Sequence, residues 1–164
     1  MRGDRDGEAF ERLYNDHAER LLGFLTYQTG DRVLAEDIVA DTFERVLRSR
    51  SRWRGRSDEK TWLYTIAMNR LRDLARRRGA EGRALERARS GEVADDGHLT
   101  DSVVDRDVLN RALQTLPEDE RAVVALRFGG DLSLREIADL LGERQTTIEG
   151  RLYRGLRRMR DVAG

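Results

Sequence analysis

Apolar residues recur along this chain at steps of three and four, the pattern of helices with one packed side, because about 100° of rotation per residue brings such positions together. Phe10, Leu13, Tyr14, His17, Leu21, Phe24 and Leu25 predict a first helix over about 8–28, with His17 a packed or half-exposed side chain. Asp31 offers an N-cap after "TGD". From there Leu34, Ile38, Val39, Phe43, Val46 and Leu47 give a second helix, to about 48, a full buried side opposite Asp37, Asp41, Glu44 and Arg48. "RSRSRWRGRSDEK" breaks the pattern with serine, glycine and charge, as a loop does. In "TWLYTIAMNRLRDLARRR", Leu63, Ile66, Ala67, Leu71 and Leu74 share one side of a third helix, while Thr65, Asn69, Arg72 and Arg76 share the other.

Beyond residue 78 the periodicity fades. Glu81, Glu86, Glu92, Asp95, Asp96 and Asp101 outweigh Arg83, Arg87 and Arg89, which predicts a flexible acidic linker over 79–104. The helical pattern returns in "DRDVLNRALQTL", breaks at Pro117 and resumes in "EDERAVVALRFGG", where Glu118, Asp119 and Glu120 suit a helix start and Gly129 a helix end. Ser133 and Glu136 have capping-box spacing, and Gly142 ends the short helix they open. A last helix from Gln145–Thr147 buries Ile148, Leu152, Leu156 and Met159 and turns Gly150, Tyr153, Arg154 and Arg157 outward. Two short helices joined by a glycine turn have the helix-turn-helix arrangement, whose second helix enters the DNA major groove. The expected fold is therefore all-α: two small helical domains, 1–78 and 105–164, joined by a linker.

Composition narrows the chemistry. The formal net charge is zero, and Lys60 is the one lysine among 31 basic residues, yet arginine is concentrated in 69–78 and 143–160. Without cysteine there is neither a disulfide nor a thiolate metal site, and His17 and His98 lie in unrelated segments, so no metal or cofactor is expected. No glycine-rich phosphate loop or nucleophile triad is present, which argues against an enzyme. No apolar run suggests a signal peptide or membrane span, so a cytoplasmic location is expected. For the arginine-ended helix, two readings follow from the residues. It is either a solvated face, each terminal arginine favoured by about 0.3–1 kcal/mol through the helix dipole, or a nucleic-acid contact.

"AFERLYNDHAERLLGFL", "AEDIVADTFERVLR", "WRGRSDEKTWLYTIAMNRLRDLARRR" and "ALQTLPEDERAVVALRFGGDLSLREIADLLG", in that order, make nearly the whole chain resemble the extracytoplasmic-function group of bacterial sigma-70 factors. The resemblance implies a promoter-specificity subunit of RNA polymerase. Asp37, Asp41, Glu44 and Arg48 would dock on the beta-prime clamp helices of core polymerase, and the second domain would meet the beta flap. The minus-10 element would be captured by Trp53, Arg54, Arg56, Trp62, Thr65, Asn69, Arg72 and Arg76. The minus-35 element would be read by Arg144, Gln145, Thr147, Glu149, Gly150, Arg151, Tyr153, Arg154 and Arg157. Such chemistry is non-covalent: aromatics stack unpaired bases at about 1–3 kcal/mol each, Asn69 bonds a flipped base edge and arginines hold phosphates. A linker of about 25 residues reaches at most roughly 80–90 Å, enough for DNA elements roughly 50–70 Å apart. The implied partners are core polymerase, promoter DNA and an anti-sigma factor, with the free protein a monomer; Gly164, soon after the reader helix, leaves sensing to a separate protein.

Several positions depart from the group's pattern. Arg144 stands where a small or hydroxyl residue is usual, Thr146 where glycine is, Glu149 where a basic residue is, and Ala40 where glutamine is common. Glu149 has three readings: it repels phosphates and weakens minus-35 binding, it accepts a hydrogen bond from a cytosine amino group for about 1–3 kcal/mol of discrimination, or it closes a capping box with Thr146. Two other functions stay open at this point. One is a helix-turn-helix regulator that binds duplex DNA without polymerase, which would need only residues 100–164. The other is a sigma-like interaction protein that no longer initiates transcription.

Overall fold

The computed structural model describes residues 2–49, 58–81 and 101–163, and every regular element among them is helical. The first lobe consists of α1 (Arg2–Thr29), α2 (Arg32–Ser49) and α3 (Glu59–Glu81). The second consists of α4 (Asp101–Gln114), α5 (Glu118–Val124) with a π-helical turn over Ala125–Gly129, α6 (Leu134–Leu141) and α7 (Gln145–Ala163). Trp53, Arg54, Arg56 and residues 82–100 of the expected linker lie outside the described residues. The helices on either side reach into the rest of that linker, α3 through Glu81 and α4 from Asp101.

Local chemistry sets the breaks. The Asp31 carboxylate accepts from the Leu34 N–H at 3.1 Å, the N-cap of α2. At Pro117 the chain turns, and the Arg121 guanidinium gathers the carbonyls left at the end of α4, donating to Leu113 at 3.1 Å and to Leu116 at 3.0 Å. Ser133 and Glu136 form a complete capping box, and Gly142 ends α6 in the left-handed region at φ 66°.

The two lobes pack into one another. Leu21 and Phe24 of α1 and Leu63, Tyr64 and Ala67 of α3 belong to the same buried cluster as Leu126, Leu132, Ile137 and Ile148 of the second lobe. A smaller cluster of Leu113, Leu116 and Val124 completes the second lobe. At the junction α1 and the π turn meet backbone to backbone: a Cβ on Gly129 would lie 2.6 Å from the Gly23 carbonyl oxygen, and one on Gly23 would lie 2.6 Å from the Gly129 oxygen. The Tyr64 hydroxyl donates to the Gly130 carbonyl at 3.3 Å. Lys60 pairs with Glu136 at 3.2 Å, Arg20 with Asp131 at 3.6 Å, and the Asn110 amide donates to the Gly30 carbonyl at 3.3 Å.

This junction explains one departure of burial from the sequence pattern, at Tyr64. Tyr64 falls outside the expected core stripe of α3, yet it is fully buried because the second lobe closes over it. Leu47, expected inside, is 53% exposed. Apolar spacing gives the side of a helix that packs, not how far along the helix its neighbours extend.

Candidate nucleic-acid and polymerase surfaces

On α3, Thr65, Asn69, Arg72 and Arg76 are all exposed, on the side away from buried Leu63 and Ala67. Trp62 is half-buried and packs on the core at the start of the same helix. The Thr65 hydroxyl is engaged within the helix, donating to the Thr61 carbonyl at 2.7 Å. Arg70 points elsewhere: it crosses to α2 and pairs with Asp41 at 2.5 Å. Asp41, expected to face polymerase, thus joins α2 to α3 and also pairs with Arg45 at 3.6 Å. Asp37, Glu44 and Arg48 remain exposed along α2, the last two paired with each other at 2.5 Å.

The helix-turn-helix is formed by α6 and α7. The Arg144 carbonyl accepts from the Thr147 and Ile148 N–H groups at 3.0 and 3.2 Å, so α7 starts at Gln145. Thr146 is therefore inside the first turn and not at a cap, and the expected Thr146–Glu149 capping box is not formed. Instead the Gln145 amide donates to the Glu149 carboxylate at 3.3 Å, one turn along the exposed face. Arg144, Gln145, Tyr153, Arg154 and Arg157 are exposed, while Thr147 and Gly150 are half-buried. Arg151 is mostly covered, its side chain 18% exposed, and ties Asp119 at 3.5 Å to Glu143 at 2.9 Å, which braces the turn against the start of α5.

Three features escape the sequence pattern. Glu120, expected only to favour a helix start, is buried between Arg154 and Arg158 of α7, at 3.6 and 3.0 Å. The helices approach closely there because residue 155 is glycine; a Cβ on it would lie 2.9 Å from a Val124 methyl. Between the lobes runs an open cleft of about 1080 Å³, with Phe24, Met68, Leu71 and Leu141 among its apolar lining and Arg72, Arg76, Glu118 and Asp119 among its polar lining. Among the described residues there is no group of side chains suited to hold a metal ion and no helix long and apolar enough to cross a membrane.

Among the described residues, three ionisable groups depart from their ordinary behaviour. Burial keeps the Tyr64 phenol protonated far above its usual range, which suits a hydroxyl committed as a donor. Burial lowers the His17 pKa, with Asp16 opposing and Lys60 assisting that shift. For Glu136, burial favours the neutral form, but the Ser133 bonds and Lys60 outweigh it and the pKa is lowered.

A two-lobe helical protein with a polar stripe on one lobe and a helix-turn-helix on the other is the architecture of a sigma-70-type factor, and sequence comparison agrees lobe by lobe. Residues 13–81 match the family Sigma-70 region 2, and residues 106–159 match Sigma-70, region 4. The chain is 35% identical to the RNA polymerase sigma factor CarQ of Myxococcus xanthus, over 98% of this chain and 93% of that protein. It is 31% identical to the ECF RNA polymerase sigma factor SigX of Bacillus subtilis, over 93% of this chain and 82% of that protein. The chain belongs to the extracytoplasmic-function subfamily of sigma-70 RNA polymerase sigma factors. Its fold is shared with the sigma factor RpoE solved with the anti-sigma factor NepR from Bartonella quintana (TM-score 0.72, 24% identity, 94% of this chain and 96% of that one). It is also shared with CnrH solved with the cytosolic domain of CnrY (TM-score 0.71, 21% identity, 95% and 88%).

Proposed function

We propose that the two lobes act as separate readers, with residues 1–78 holding core polymerase and the minus-10 strand and residues 105–164 holding the minus-35 duplex. One observation carries this assignment: Thr65, Asn69, Arg72 and Arg76 form an unbroken exposed stripe on a helix whose other side packs through buried Leu63 and Ala67 and half-buried Ile66 and Leu71. Folding does not require that stripe. It offers one amide able to bond a base edge and two guanidiniums for phosphates, next to the ring of Trp62. Binding energy is then realised mainly on separated strands, which opens a promoter without ATP.

Asp37, Glu44 and Arg48 provide the polymerase contact on α2, with Asp41 orienting Arg70 behind them. On α7, Gln145, Tyr153, Arg154 and Arg157 face the groove and Arg144 lies at its entrance. Glu149 acts through its bond with Gln145, which fixes the Gln145 amide at the base-reading end of the helix. Such a factor works where core polymerase is, in the cytoplasm, and by non-covalent binding alone. An anti-sigma factor belongs to the same reading, since both solved neighbours are held by partner proteins. The cleft between the lobes, apolar with a mixed-charge border, gives a segment of such a protein contacts on both lobes at once.

Asn69→Ala tests the minus-10 assignment. With holoenzyme and promoter DNA, it should weaken binding to a template carrying an unpaired minus-10 region by about 1–3 kcal/mol, the cost of one specific base contact, and leave core-polymerase affinity unchanged. Equal binding of wild type and variant to the unpaired template would refute that role.

A further inference from the structure

We infer that Glu120 and Gly150 are positioning residues for minus-35 recognition, setting where the Arg154 guanidinium sits on the reader helix. This rests on the reading of α7 as the minus-35 reader. Glu120 lies on α5, behind α7, with its side chain 5% exposed, and its two oxygens meet the Nε atoms of Arg154 and Arg158 at 3.6 and 3.0 Å. A buried carboxylate needs charge partners, so its place between them is stable only with both arginines present. Both contacts use Nε. The terminal amino groups are left over, on side chains 56% and 57% exposed, and a planar guanidinium can grip a phosphate by that outer edge.

Gly150 supplies the second constraint. A Cβ there would lie 3.1 Å from Arg154 Nη1, so the guanidinium lies back over residue 150, one turn nearer the base-reading start of α7. Glu120 therefore holds one edge of the arginine while Gly150 leaves room for its head. Arginines four residues apart on a helix repel one another, and the shared carboxylate removes that repulsion without covering either head. The carboxylate thus improves phosphate binding although it carries the same sign of charge as DNA.

The sign of that effect makes the inference testable. Holoenzyme assembled from core polymerase and the full chain is titrated with a promoter duplex that the wild-type holoenzyme selects from genomic fragments, across a range of salt. Glu120→Gln should weaken binding about three- to tenfold, and flatten the plot of log affinity against log salt by about one, although the reader surface gains positive charge. Gly150→Ala should weaken binding by a similar factor while leaving the chain at least as resistant to heat, since alanine favours a helix interior over glycine. In an Arg154→Ala background Gly150→Ala should cost nothing further, and Glu120→Gln should cost less than in the wild type, since only Arg158 is left for it to hold. Glu120→Gln binding more tightly with a steeper salt dependence would show that the carboxylate only neutralises the surface and would overturn the inference. Losses from Gly150→Ala that persist without Arg154 would also overturn it. If Arg154→Ala weakens binding but the other two changes do not, the anchor alone fails; if Arg154→Ala binds like wild type, the reading of α7 beneath it fails as well.

Discussion

Gly129 and Gly23 face each other across the junction of the lobes with no room for a methyl group on either side. The obstructing atoms are backbone, so an added Cβ cannot be accommodated by rotating a side chain. Gly129→Ala should destabilise the free protein by about 1–3 kcal/mol, the usual cost of overpacking, seen as a lower denaturation midpoint; a melt identical to wild type would contradict the close packing. His17 behaves differently. Its pKa is lowered by burial, so the unfolded chain takes up a proton more readily than the folded one. Stability is therefore full above the ordinary histidine range and falls as pH drops through it. His17→Gln should flatten that decline in melting temperature between about pH 7 and pH 5.

Among the elements, α6 depends on its ends because it is short. The Ser133 hydroxyl accepts the Glu136 N–H at 3.1 Å while the Glu136 carboxylate accepts the Ser133 N–H at 3.0 Å and also reaches Lys60 of α3. Ser133→Ala should cost about 0.5–2 kcal/mol in denaturant titration, and the loss should shrink in acid. There Glu136, whose lowered pKa makes its contribution vanish as pH falls below the normal glutamate range, no longer completes the box. This cap was legible in the sequence, as were the Asp31 cap, the Gly142 stop and the packed sides of α2, α3 and α7, because each is fixed by residues within one or two turns. The exposed stripe of α3 was legible for the same reason. Tyr64, Arg70, Glu120 and Arg151 were not. Their roles come from partners dozens of residues away, and periodicity carries no information about which surface will meet which. The capping reading of Glu149 failed by two residues, since the first member of a box is the N-cap, here Arg144, and Thr146 is already the second residue of α7.

For the molecule as a whole, the lobes share one core, yet the two promoter elements lie roughly 50–70 Å apart. A compact chain of this length has a diameter of only about 40 Å. If each lobe reads its own element, as proposed, the lobes part when both are bound, giving up the Gly23–Gly129, Tyr64–Gly130 and Lys60–Glu136 contacts in exchange for polymerase and DNA. Dyes placed on the exposed ends of α2 and α7 should report high energy transfer in the free chain and low transfer in holoenzyme on promoter DNA; unchanged transfer would contradict separate readers. Residue patterns could show two helical units, since the packed sides of their helices are set locally. They could not show that the units close on each other, because apolar spacing does not say which packed side meets which, and the closest approach is made by Gly23, Gly129 and Tyr64, which carry no periodic signal. The most direct measurement of the central claim is run-off transcription with purified core polymerase on a genomic promoter library, with and without this chain. Discrete transcripts from a defined set of start sites, appearing only when the chain is present, are the predicted result; the same transcripts with core polymerase alone, or none in either case while the chain still binds DNA, would contradict it.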